Sequence, residues 1–177
     1  MHLTEKKRVE EVLGKPSFWT PKEITGLCEY IAGIEQIDEV VGVKNALTIT
    51  PIVNFSIHPG GIAISILPKF KMHYFALKSG HIQSIVLEKG DIIDTQSRSV
   101  VGRAIVGGLL LGPVGAIVGG VSGVKDKVIK ENDTLLISFK EENEQERALL
   151  FKIKKGKTQK VFEFFKENYP DVFSFNG

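Results

Sequence analysis

The stretch NFSIHPGGIAISIL, residues 54–67, decides the fold. Phe55 and Ile57 alternate with polar neighbours, and His58-Pro59-Gly60-Gly61 supplies turn residues. Ile62, Ile64 and Ile66 then alternate with Ala63, Ser65 and Leu67. A period of two on both sides of a Pro-Gly turn predicts an antiparallel hairpin with one face on a core. Strand patterning continues outward from it. Residues 47–53 are mostly β-branched and apolar, with Pro51 marking an edge or a bulge. Downstream, KFKMHYFAL (69–77) predicts a third strand with Phe70, Met72, Tyr74 and Ala76 on one side, and Ser79-Gly80 turns the chain into a further strand over 82–89. The expectation is a meander of antiparallel strands closing at Lys89-Gly90-Asp91. After Asn132-Asp133, the segments TLLISFK and ALLFKI add two more strands around a polar turn at 141–146.

Helical signals flank the strands. The pattern over residues 4–13 predicts a short helix ended by Gly14 and Pro16. In SFWTPKEITGLCEYIAGIEQI (17–37), Thr20 stands as N-cap, Pro21 at the first helical position and Glu23 as a capping-box partner. Ile24, Leu27, Cys28 and Ile31 follow at helical spacing, so the pattern predicts a helix to Gly33, stapled to the fold by Phe18 and Trp19. At the other end, Thr158 caps a closing helix with Val161, Phe162, Phe165 and Tyr169 on its buried face, stopped by Pro170. The division expected is an N-terminal helical segment, 1–39, and a main domain, 40–177, with an insert at 98–127.

That insert contains VVGRAIVGGLLLGPVGAIVGGVSGV, residues 100–124, with eight glycines and no charge from Ala104 to Val124. Gly108, Gly112, Ala116 and Gly120 recur every fourth residue, as do Gly115, Gly119 and Gly123. On a helix each set is a ridge almost without side chains, which lets a second backbone approach closely. Pro113 interrupts a continuous helix, so the expectation is two short helices folded back at Gly112-Pro113. The stretch is long enough to cross a bilayer once, yet a break at proline leaves carbonyls to satisfy in lipid.

Composition narrows the chemistry. The 177 residues are 42% hydrophobic and 25% charged with net charge +2, as expected for an ordinary globular chain, and they give no electrostatic reason to expect nucleic acid. The single Cys28 cannot form an internal disulfide, and its apolar setting marks it as a buried small hydrophobe. Charges stand where a secretory signal would be apolar, so a cytoplasmic location is expected. His2, His58, His73 and His81 share no ligand spacing, the glycine run lacks the Lys-Ser/Thr pair of a P-loop, and no serine or cysteine stands in a nucleophile setting. No enzyme, metal or cofactor is expected. One basic group stands out, namely Lys152, Lys154, Lys155, Lys157 and Lys160, either a solvated edge or a contact for an anionic surface. Glu141, Glu142, Glu144 and Glu146 in the neighbouring turn are expected to cancel part of its field.

The strand order, the meander and the terminal TQKVFEFFKENYP resemble the bacterial PH-like domains. The resemblance implies an α+β fold: a bent antiparallel sheet or partly open barrel of about seven strands, with a C-terminal helix closing one end. SRSVVGRAIVGGLLLGPVGAIVGGVSG looks like the glycine-rich segment found in small proteins of Gram-positive bacteria and their phages, sometimes beside such a domain. The loop His58-Pro59-Gly60-Gly61 lacks the paired basic residues of phosphoinositide-binding members, so headgroup binding does not carry over. The reading is therefore a non-enzymatic interaction or self-association module. Its contacts are Gly108, Gly112, Gly115, Ala116, Gly119, Gly120 and Gly123, and its partner is a protein or a second copy. The alternative is a membrane-binding protein using residues 104–124 and nearby lysines.

Overall fold

Alternation builds the sheet as the hairpin predicts. Strands β2 (Ile52–His58) and β3 (Gly61–Leu67) pair antiparallel from Ile52↔Leu67 to His58↔Gly61 around Pro59-Gly60. Ile62, Ile64 and Ile66 are fully buried on one face, together with Val53 and Phe55. The computed structural model describes residues 6–18, 22–33, 51–67, 72–90 and 132–176. Helix α1 (Lys6–Leu13) and strand β1 (Glu23–Ala32) precede the hairpin. β4 (His73–Lys78), β5 (Ile82–Glu88), β6 (Thr134–Lys140), β7 (Glu146–Ile153), helix α2 (Thr158–Asn168) and β8 (Phe173–Asn176) follow it. Together the strands form one eight-stranded sheet in the order β4-β3-β2-β1-β7-β6-β5-β8.

The order itself shows that the sheet bends. Six strand spacings separate β4 from β5, about 29 Å in a flat sheet. Only the 3-10 turn Ser79–His81 joins them, and the four steps from Lys78 to Ile82 reach at most about 14 Å. The sheet therefore curls until these two strands come close, yet it stays open, since no ladder joins β4 to β5. Its inner face makes the main core, in which Phe55 meets Phe151 and Phe165 edge-to-face at 5.1 and 5.4 Å. Helix α2 closes that core with Val161, Phe164 and Phe165. On the outer face, α1 covers β3 and β4, with Val9 and Leu13 against Ala63, Tyr74 and Ala76.

The structure corrects the sequence reading in several places. The helix expected from Thr20 to Gly33 is the strand β1, and it lies at the centre of the sheet between β2 and β7. Residues 23–32 thus belong to the sheet and not to a helical segment before it. The cause is two irregularities in one strand. Pairing runs Ile24↔Phe55, Thr25↔Asn54 and then Cys28↔Val53, which leaves Gly26 and Leu27 unopposed. A second shift follows between Tyr30 and Ala32. Such bulges place apolar residues at 24, 27, 28 and 31, which imitates helical spacing.

Tyr74 and Ala76 share one side of β4 as the alternation predicts, and it is the outer face under α1; Phe75 and Leu77 face the core. Other corrections concern connections and caps. The meander breaks after β4, because β5 pairs with β6 and with β8. β8 runs parallel to β5, so the sheet is mixed and not purely antiparallel. Thr158 is the first residue of α2, not its cap; Lys157 is the N-cap and makes no capping bond through its side chain. Phe18 is 87% exposed and is not buried in the core, and Trp19 lies outside the described residues.

Candidate functional site

β5 and β6 pair directly down to Glu88↔Thr134, so nothing between them is needed to build the ladder. The chain leaves this ladder at Gly90 and returns at Asn132, side by side: a Cβ added to Gly90 would lie 2.8 Å from the Asn132 nitrogen. Asp133 fixes the junction. One carboxylate oxygen accepts the Gly90 amide at 3.2 Å, and the other accepts the Thr158 hydroxyl of α2. Its carbonyl accepts the Ile153 amide at 2.8 Å, which holds the end of β7 against the same point. The glycine-rich stretch is thus an excursion from a hairpin whose two ends are tied together. The proposed insert 98–127, including Gly108, Gly112, Gly115, Ala116, Gly119, Gly120 and Gly123, lies outside the described residues.

The lysine group gathers at this same end. Lys152 stands opposite Thr134, the first residue of β6. Its ammonium pairs with the Glu29 carboxylate, with both side chains largely buried, so it serves the sheet and is not offered to solvent. Lys154 is half-buried and its amide donates to the Leu27 carbonyl at 2.9 Å. Lys155, Lys157 and Lys160 are exposed. A tight turn presents them: the Lys157 amide donates to Lys154 O at 3.0 Å, and Gly156 takes φ +73°. No acidic residue occupies the first turn of α2, so the positive end of its dipole adds to these cations, offset in part by Asp133.

The acidic turn does not cancel this field. It lies at the opposite end of the β6–β7 hairpin, about 20 Å along the strands and well beyond a screening length of about 8 Å. Its carboxylates have neighbours of their own: Glu142 pairs with Lys78 at 3.2 Å, Glu144 with Lys140 at 3.1 Å, and Glu141 with Arg147 at 3.9 Å. The hydrogen bond from Lys78 holds the Glu142 carboxyl below the usual carboxylate range.

The sequence reading missed Asp133 and the pairing of Lys152. Asn132-Asp133 looks like any polar turn until α2 is known to begin beside it. Glu29 cannot be matched to Lys152 while its segment is read as a helix. Of the histidines, His58 is buried between the Gly14 carbonyl and Ser56, at 2.6 and 3.2 Å. Among the described residues no three His, Cys, Asp or Glu side chains come together as a metal-binding group.

A family model described as the glycine zipper containing PH domain matches residues 63–151. The chain belongs to this family. In this glycine-zipper PH domain, the match runs from β3 into β7 and so takes in both strands that bracket the glycine-rich excursion. No curated protein and no solved structure matches the chain.

Proposed function

We propose that this glycine-zipper PH domain is a non-enzymatic association module. The curled sheet is a rigid base, and the excursion between β5 and β6 is the element that makes contact. It packs through Gly108, Gly112, Gly115, Ala116, Gly119, Gly120 and Gly123 against a second copy or another protein. The observation that carries the reading is the junction at Gly90 and Asp133, which holds both ends of the excursion at one point while the ladder closes beneath it. Closing a long loop costs little more than closing a short one, so the sheet tolerates it. Glycine costs about 1 kcal/mol against alanine at a helical site, and close contact with a partner backbone offsets that cost. Sedimentation of Gly119→Leu and Gly120→Leu variants tests this. The expected result is loss of self-association or of partner binding with the sheet still folded; an unchanged oligomeric state and unchanged partner binding would sink the proposal.

A second reading has its own support. Lys155, Lys157 and Lys160 are exposed at the end of the sheet from which the uncharged segment departs. Each lysine near an anionic bilayer contributes roughly 1 kcal/mol. On this reading residues 104–124 enter the bilayer, with Arg103, Lys125 and Lys127 at its interface. Among the described residues no helix is long and apolar enough to cross a membrane. A carbonate wash of fractionated cells separates the two readings, since an inserted segment stays with the membrane and a protein–protein contact does not hold it there.

A further inference from the structure

The outer face of the sheet carries a second feature, distinct from the exposed lysines. Four polar side chains stand in a single row across four strands: Thr25 of β1 is opposite Asn54 of β2, Asn54 opposite Ser65 of β3, and Ser65 opposite Tyr74 of β4. Three strand spacings make this row about 14 Å long. It forms part of the floor of a trough of about 290 Å³ beside α1. Asn54, Ser65 and Tyr74 are half-buried there, and Thr25 lies at the open end.

The row is held rigidly. Asn54 Oδ1 accepts the amide of Gly26, whose φ of +67° belongs to the bulge in β1. Asn54 Nδ2 donates to Ser65 Oγ at 3.2 Å. Those two bonds fix the orientation of the amide, and both Asn54 and Ser65 line the trough. One row along, Ser56 is positioned by the buried His58. The Nδ1–H of His58 donates to the Gly14 carbonyl at 2.6 Å, and its Nε2 stands 3.2 Å from the Ser56 hydroxyl. Tyr74 closes the row with an amphipathic side chain that offers a ring and a hydroxyl.

No cationic cluster lines the trough. Lys6 and Glu10 come from α1 and Glu23 from the start of β1, while Lys22, just before β1, is paired with Glu167 of α2 at 2.9 Å. Such a rim, with one carboxylate in excess and Lys22 already paired, offers nothing to hold an anion. The floor offers hydroxyl and amide groups at regular intervals, and the volume is at the low end for ligand sites. We infer that the outer-face trough between α1 and β1–β4 binds an uncharged saccharide of one or two rings. Its hydroxyls would bond to Thr25, Asn54, Ser65 and Ser56, with one apolar ring face against Tyr74.

Titration of the ¹⁵N-labelled full chain with cellobiose and with N,N′-diacetylchitobiose tests this. The expected result is saturable amide shifts confined to Thr25, Asn54, Ser56, Ser65, Tyr74 and their neighbours with at least one of the two. Ser65→Ala and Tyr74→Ala should each weaken binding about tenfold, while Lys157→Glu, at a residue that does not line the trough, leaves it unchanged. Retention of the remaining amide fingerprint shows that the variants fold, and Tyr74→Phe, which keeps the ring, gives a milder loss. The inference is overturned if neither disaccharide shifts these amides at millimolar concentration. It is equally overturned if the shifts survive in both alanine variants, or if the zwitterion glycylglycine binds the same residues more tightly than either sugar. None of these results bears on the glycine-rich segment, so failure here is distinct from failure of the association reading.

Discussion

Asp133 accepts the hydroxyl proton of Thr158, which joins the first residue of β6's approach to the first residue of the closing helix. The other oxygen of the same carboxylate holds the Gly90 amide. Removing the carboxylate orphans two donors at once, so Asp133→Ala is expected to cost about 1–3 kcal/mol in urea unfolding. Thr158→Val should cost about 1 kcal/mol. The double variant should cost less than the sum, because both changes delete one shared bond. Strict additivity would show that the bond does not tie the helix to the junction.

Two glycines at turns should answer differently to the same substitution. Gly61 takes φ +153°, and an added Cβ would lie 1.9 Å from the Leu77 carbonyl oxygen, so β4 cannot stay in place beside it. Gly61→Ala is expected to lose more than about 3 kcal/mol. Around Gly80 a Cβ meets nothing within 4 Å. Gly80→Ala should stay within about 0.5 kcal/mol of the parent. Thermal melts of the two variants check the contrast.

The contrast between β3 and β1 explains how much of this fold was legible. The inward Ile62, Ile64 and Ile66 alternate without interruption, so period two is unmistakable and the core face follows from it. In β1 the unopposed Gly26 and Leu27 break that period, and Thr20-Pro21 in front resemble a helix start. Capping signals are local, whereas the bulge exists only because β2 and β7 lie on either side. β8 was illegible for a related reason: Phe173–Asn176 is too short to show a period, and it becomes a strand by pairing with β5 and by Phe173 and Phe175 packing at 5.5 and 5.4 Å on Phe162. At the candidate site the lysines were legible as a cluster, but the burial of Lys152 against Glu29 depends on the misread strand.

Helix α2 should be indispensable through one ring above all. Phe165 is fully buried and packs edge-to-face on Phe55 and on Phe164, at 5.4 and 5.1 Å. Phe165→Ala removes that ring from the open end of the curled sheet and is expected to cost about 3–5 kcal/mol in denaturant unfolding. Phe18→Ser, at a position the sequence suggested as a staple, should change stability by no more than about 0.5 kcal/mol, since its ring lies in solvent. A large effect at Phe18 would contradict its placement.

Cys28 should give the fold a distinctive response to alkali. Burial pushes its thiol from 9.0 up to about 12, against a smaller downward pull from the Lys154 ammonium and a further upward push from Glu29. The folded chain therefore holds this proton after the unfolded chain has lost it. With the folded value raised, the thiol's contribution is complete below pH 9 and is lost as pH climbs toward 12, at about 1.4 kcal/mol per pH unit. Tyr169 is also pushed upward by burial and acts in the same direction, so the comparison must be made against Cys28→Ala, which keeps Tyr169. Between pH 9 and 10.5 the parent should lose stability more steeply than Cys28→Ala in urea titrations, by roughly that slope. In native buffer at pH 8 the thiol should react with a disulfide reagent only at the rate of unfolding, because almost none of it is thiolate and none of it is reachable. Parallel pH profiles for the two proteins, or fast labelling of the folded chain, would place Cys28 outside the core.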